Sequence, residues 1–404
     1  MAGMARMITF ISMLALMGAI ASPARADDRL SPPLGKELKV YHIGNSLTRN
    51  VPVERLKLLF ESVQGNYDYG TQLGGGHKLD QHLSKRNHDN APGTGSYNTI
   101  APYGEYDNAF KNYKWDAVVL QPYMEELDKE PVITEKWPYY TAGSFQSASE
   151  FIDYARGKTR PGDQGWHRQN PNTTHESCKR FYIYATWPSV AEILKQEGEK
   201  TYAAYYAQKY SGGSRPCADY FAQLADNLNQ KHTDLEVPVR VIPAGEVMAR
   251  LDVLIREGKL PGIVEFHERN QAYYKKARRN NNSPSPYDPE TFDPSQGVLN
   301  FYADNIHMND QPHNGADSGT IGSYVAALTI FATLTGQSPV GLTAAPYEMF
   351  DAEKDAALIK ALQETVWDVV VEYTRSGVAI DSANGRSILF WGVLTAAMDA
   401  RNQL

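Results

Sequence analysis

The chain has 404 residues, of which 42% are hydrophobic and 22% charged; that balance can bury a core and excludes collagen-like, disordered and multi-span membrane classes. Its net charge of −7 argues against nucleic acid as a partner, because phosphate backbones are met by basic surfaces. The length would hold two or three domains, but large α/β enzymes reach it as one elaborated unit, and that is the expectation here.

The chain opens with Arg6, an apolar run from Met7 to Ile20 and the tripeptide Ala24-Arg25-Ala26. This pattern predicts a secretory signal over residues 1–26, cleaved after Ala26. The run is shorter than the roughly 20 residues a membrane-spanning helix needs, so no stable membrane insertion is expected. Cleavage removes Arg6 and Arg25 and leaves 38 basic side chains against 47 acidic ones. The mature chain is then expected in a periplasm or secreted. After export, its two cysteines, Cys178 and Cys217, form either one disulfide or two buried free thiols.

Four short apolar runs with little alternation read as strands covered on both faces. They are Leu38 to Gly44, Trp115 to Gln121, Phe181 to Thr186 and Val239 to Pro243. Helix-like stretches run from Val53 to Val63, Phe145 to Ala155, Glu199 to Tyr210 and Tyr220 to Lys231. Ala277 to Gly297, rich in Asn, Pro, Ser and Asp, reads as a long surface loop. Gly319 to Thr335 reads as a buried helix and Ala352 to Tyr373 as an amphipathic one. Alternating strands and helices predict a doubly wound α/β sheet. The expected organisation is a single domain over 27–404.

In such a sheet ligands bind beyond the carboxyl ends of the strands, and Ser46 stands there, two residues past Gly44. In that turn its own N–H and the following helix can face an anionic intermediate. Taken alone, Ser46 or Thr48 would serve equally well as a helix cap. Asp304 and His307, three residues apart beyond the long loop, supply what a serine nucleophile needs. A histidine takes the hydroxyl proton, and a carboxylate orients the ring and stabilises its cation. Neighbouring His313 is the natural decoy.

The block Gly44-Asn45-Ser46-Leu47-Thr48 near the mature amino terminus and Asp304-x-x-His307 near the carboxyl terminus resemble the SGNH (GDSL-type) hydrolase superfamily. The asparagine before the serine, with Gly319-x-x-Gly322-x-Tyr324 and Gly336-Gln337-Ser338-Pro339, is similar to a bacterial branch of it. The resemblance implies a three-layer α/β/α sandwich on a mostly parallel, flavodoxin-like sheet, with insertions near 123–187 and 251–302 where this chain exceeds a minimal member, and it implies Ser46, Asp304 and His307 as catalytic residues. It also implies an oxyanion hole of the Ser46 N–H, a glycine N–H and an asparagine side chain. In Gly74-Gly75-Gly76 the glycine is Gly76 first and Gly75 second. No asparagine follows the Val118-Val119-Leu120 strand, and Gln121 stands in its place, so the third donor is carried to Gln121.

His77, His82 and His88 do not share one helical face, and the acids and amides at Asp304, Asn305, Asn309, Asp310 and Asp317 show no recognised calcium-loop spacing; no metal and no cofactor is expected. Twenty-five tyrosines and six tryptophans offer flat amphipathic rings of the kind that stack on sugars, with Tyr123 and Trp187, each just past a strand, expected to line the substrate pocket. The resulting expectation is an exported serine esterase that removes O-acetyl groups from carbohydrate. A lipase-like or general short-chain esterase, and a non-catalytic carbohydrate-binding protein on the same scaffold, are the alternatives.

Overall fold

Strand β1 (Glu37–Gly44) is buried from Val40 to Gly44, apart from its solvent-facing start. It leads directly into a single helical turn, α1 (Ser46–Arg49), and then α2 (Val53–Ser62). The chain continues through β2 (Asn66–Leu73), α3 (Leu79–Leu83), β3 (Asn98–Thr99), α4 (Tyr106–Asn112) and β4 (Ala117–Leu120). A short antiparallel pair, β5 (Val132–Ile133) and β6 (Tyr140–Thr141), precedes α5 (Ser144–Ala155). Then follow β7 (Phe181–Tyr184), α6 (Val190–Lys195), α7 (Tyr202–Tyr206), α8 (Ala218–Lys231), β8 (Arg240–Ile242), α9 (Ala244–Arg256) and α10 (Ile263–Arg269). A 3-10 segment at Pro294–Phe301, α11 (Ile321–Thr335) and α12 (Ala356–Glu372) complete the order, with a last 3-10 turn at Thr374–Ser376. This computed structural model describes residues 37–51, 53–85, 97–123, 125–133, 140–159, 171–172, 175–271, 292–308 and 320–378. The expected signal over 1–26, His88, Asn309, Asp310, His313, Asp317 and Gly319 lie outside the described residues, as do most of the loop from Ala277 and parts of both expected insertions.

The main sheet runs β3-β2-β1-β4-β7-β8, parallel throughout except for β3. Its five parallel strands therefore follow the flavodoxin order, in which the first strand lies between the second and the third. Helices α2, α9, α11 and α12 pack together as one layer, and α3, α4, α5 and α8 as the other, giving the expected α/β/α sandwich. Every residue of α11 is buried, as its apolar sequence on all sides requires. Thr320 caps its start by accepting from the Ser323 N–H, and Gly336 ends it in the left-handed conformation.

Strand β2 and helix α9 are among the elements that escape the pattern reading. Strand β2, Asn-Tyr-Asp-Tyr-Gly-Thr-Gln-Leu, carries polar residues along its length, yet it pairs with β1 over eight positions. Its Gly70 lets the strand lie against Tyr41 and Trp115, whose rings an added Cβ would meet at 2.5 and 2.7 Å. Helix α9 starts directly after Pro243, and Gly245 in its first turn admits the Tyr206 hydroxyl and the Thr186 carbonyl where any side chain would collide. The stretch Glu199 to Tyr210 is helical only over Tyr202–Tyr206. Cys178 and Cys217 are both free, buried thiols, and burial pushes that of Cys178 up to about 12.

Candidate active site

The carboxyl ends of β1 and β4 are adjacent, and here the sheet order reverses, which is where ligands of such sheets bind. Gly44 ends β1 because a Cβ would lie 2.8 Å from Gln121 Oε1 and strike Thr48 Oγ1. Asn45, fully buried, then builds the turn. Its Oδ1 accepts the Leu47 N–H at 2.9 Å, capping α1, and its Nδ2 donates to the His77 carbonyl at 3.1 Å. Ser46 is thereby held half-buried as the first residue of α1.

Asp304 and His307 meet as their spacing predicts. His307 Nδ1 lies 2.6 Å from Asp304 Oδ2, while Asp304 Oδ1 accepts the backbone N–H groups of Ile306 and His307, each at 2.7 Å. Burial pushes the Asp304 carboxyl up, but the His307 ring and these two N–H groups outweigh it and hold the group below its ordinary range. An ionised Asp304 places the ring proton on Nδ1, which leaves a lone pair on Nε2. That Nε2 is buried and has no hydrogen-bond partner among the described residues, Ser46 Oγ included.

Every side of the loop that carries His307 is tied down. Trp187 Nε1 donates to the Ile306 carbonyl at 2.8 Å, and Ala303 N–H to the His307 carbonyl at 2.8 Å. Asn305 caps α6, its backbone oxygen accepting from Val190 N–H at 2.7 Å and its side-chain Oδ1 from Ala191 N–H at 2.9 Å. Met308 N–H donates to Asn50 Oδ1 at 3.0 Å, and Thr320 Oγ1 to the Met308 carbonyl at 2.5 Å. Asn50 and Asn305 were missed from sequence. Their signal was only a polar residue beside each motif, since each acts on a partner far away in the chain.

The glycine run forms a turn in which His77 N–H donates to the Gly74 carbonyl at 3.2 Å. Gly76 occupies its third position at φ +67°, as a type II turn requires of a glycine. Gly74 lets the His77 ring lie against the backbone, and Gly75 is exposed. His77, His82 and Tyr97 pack ring to ring with centroids 5.2 to 5.4 Å apart, and burial with the neighbouring His77 pushes His82 down to about 3. Among the described residues no group of three or more His, Cys, Asp or Glu side chains could hold a metal.

Two expected roles are corrected. Gln121 is fully buried and turns its oxygen toward the turn that carries Ser46, accepting the Asn45 N–H at 2.9 Å and the Thr48 hydroxyl at 3.1 Å, while Nε2 donates to the Pro122 carbonyl at 2.9 Å. The Asn45 donor fixes that orientation, so Gln121 presents the wrong polarity for an oxyanion and serves as a clip between β4 and the turn. Trp187 is fully buried and holds the loop that carries His307 by its bond to the Ile306 carbonyl, instead of lining a pocket. Tyr123 remains half-buried beside the site, its hydroxyl pushed up by burial and by the charges of Glu192 and Asp304. A separate hollow of about 300 Å³, lined by Trp115, Asp116, Cys178 and Arg180 among others, opens at the amino ends of β4 and β7, the opposite end of the sheet from these groups.

A crystal structure of a DUF4886 family protein from Bacteroides uniformis is similar to this chain, with 14% identity and a TM-score of 0.40 over 84% of this chain and 96% of that one. No protein-family model and no curated protein matches the chain.

Proposed function

We propose that this protein is an exported serine esterase that removes O-acetyl or similarly short acyl groups from carbohydrate, as the resemblance of its Gly-Asn-Ser-Leu-Thr and Asp-x-x-His blocks to SGNH hydrolases implies. The observation that carries the reading is the buried, unpartnered Nε2 of His307. An ionised carboxylate stands behind its ring, and its loop is bonded through Asn50 to the turn that bears Ser46.

In this reading the Ser46 hydroxyl gives its proton to His307 Nε2 as Oγ bonds to the acyl carbon. The backbone N–H groups of Ser46 and Gly76 receive the oxyanion. His307 passes its proton to the departing sugar oxygen, leaving an acyl-enzyme. Water then attacks the acyl carbon, giving a proton to His307; acetate departs and the proton returns to Ser46 Oγ. Asp304 stabilises the imidazolium in both halves. No cofactor is called for. In the same reading Tyr123, which feels the Asp304 charge, lines the edge of the acyl site.

The test is acetate release by the mature protein from a panel of acetylated polysaccharides, beside acetyl, butyryl and octanoyl p-nitrophenyl esters. Release from a glycan, reduced at least 10³-fold in Ser46→Ala and His307→Ala, supports the proposal. A preference rising with acyl length would move the assignment to a lipase-like enzyme. Glycan binding without hydrolysis, unchanged in Ser46→Ala, would leave a carbohydrate-binding protein.

A further inference from the structure

Asn50 is 1% exposed and satisfies every polar atom it has, reaching from the Ser46 turn to Met308, 258 residues further along the chain. Its Nδ2 and its backbone N–H both donate to the Ser46 carbonyl, each at 2.9 Å. Its Oδ1 accepts the N–H of Met308, the residue after His307, at 3.0 Å. Its own carbonyl accepts from Ser323 Oγ in the first turn of α11. One carboxamide thus bonds, by opposite ends, to the peptide of Ser46 and to the peptide next to His307. No hydrogen bond joins the two reactive side chains directly in this structure, so the spacing between hydroxyl and imidazole rests on their backbones.

We propose that Asn50 is a positioning residue which sets the distance and angle between Ser46 Oγ and His307 Nε2; the inference rests on the Ser46–His307 reading above. A carboxamide suits the task because one end donates and the other accepts, and a fully buried amide with both ends engaged cannot rotate without leaving polar groups unpaired. Asp is nearly isosteric, but it retains only the acceptor for Met308 and sets a carboxylate oxygen against the Ser46 carbonyl. Ala removes both bonds. A shift of about 1 Å between reacting groups costs on the order of 100-fold in rate.

The experiment compares wild type, Asn50→Asp and Asn50→Ala by kcat and KM on p-nitrophenyl acetate, by the rate of Ser46 phosphonylation with a small p-nitrophenyl phosphonate, and by circular dichroism and Tm. The expected result is a 10- to 100-fold fall in kcat and in phosphonylation, with KM within about twofold and a folded spectrum. If Asn50→Ala does not fold, Asn50→Asp decides alone. A folded variant that keeps kcat within about threefold of wild type overturns the positioning role, as does a loss carried by KM. Failure of the underlying reading looks different: the wild type would not be phosphonylated at Ser46, or its turnover would survive Ser46→Ala.

Discussion

At the scale of single residues, the Asp304–His307 pair shows how a local spacing becomes chemistry. Three positions of separation let one carboxylate take the ring with one oxygen and two backbone N–H groups with the other. The carboxyl is ionised at neutral pH and turns the ring so that Nε2 is left open. Asp304→Asn can offer Nδ2 to the ring and hold it in the opposite tautomer, so kcat should fall by about 10²- to 10⁴-fold with little change in KM, measured on p-nitrophenyl acetate. Because the Asp304 carboxyl is held below its ordinary value, the stability it contributes is present above the ordinary carboxylate range. It drains away as the pH falls through that range toward the folded value, and the drop in Tm on acidification should be smaller in Asp304→Asn. The contact between Asp304 and His307 was legible because it rests on a local spacing of three residues. The true surroundings of Gln121 and Trp187 were not, because whether an amide offers its oxygen or its nitrogen, and whether an indole reaches solvent or a carbonyl, depends on partners from other elements. Asn50 was invisible for the same reason.

Among elements, α3 and the segment after β4 form a unit that pattern reading could not assemble. Glu125, 2% exposed, accepts the Leu79 N–H at the start of α3 and the Tyr123 N–H at 3.1 Å. Burial, with the charge of Asp80 beside it, pushes its carboxyl up to about 8, from an ordinary value of 4.5. A group whose folded value is raised contributes stability that is complete below its unfolded value and lost as the pH rises through the folded one. Stability should therefore decline between about pH 4.5 and 8 on account of Glu125. In Glu125→Gln, which cannot ionise, Tm measured by calorimetry across that window should decline by a few degrees less than in the wild type. Parallel curves for the two proteins would remove Glu125 as the source. The strands β1, β4, β7 and β8 could be read because buried parallel strands are apolar throughout. Strand β2 could not, since its polar residues are satisfied by neighbours such as Tyr106 N–H on Gln72 Oε1, and α9 was hidden by a glycine that is required for close approach and reads as a loop.

For the molecule as a whole, α11 joins the core to the site. Its interior packs against α2, α9, α12 and β8, and its first turn holds the site's two backbone anchors, Thr320 on the Met308 carbonyl and Ser323 on the Asn50 carbonyl. The apolar sequence announced a buried helix, but not that its start is the platform for residues at both ends of the chain. Gly322 makes the platform possible: an added Cβ would lie 2.6 Å from Met308 Cβ and 2.9 Å from its carbonyl oxygen, too close for either to stay in place. Gly322→Ala should accordingly push Met308, and His307 with it, away from α11. Ala327, fully buried midway along the same helix, gives the comparison, since Ala327→Leu overfills the core without touching the loop. Both substitutions should cost about 1–3 kcal/mol of stability, measured by urea unfolding. At a temperature where all three proteins are folded, only Gly322→Ala should also lose kcat, by about tenfold or more. Equal kcat values in the two variants would mean that the loop that carries His307 holds its position without α11, by its bonds to Trp187, α6 and Asn50 alone.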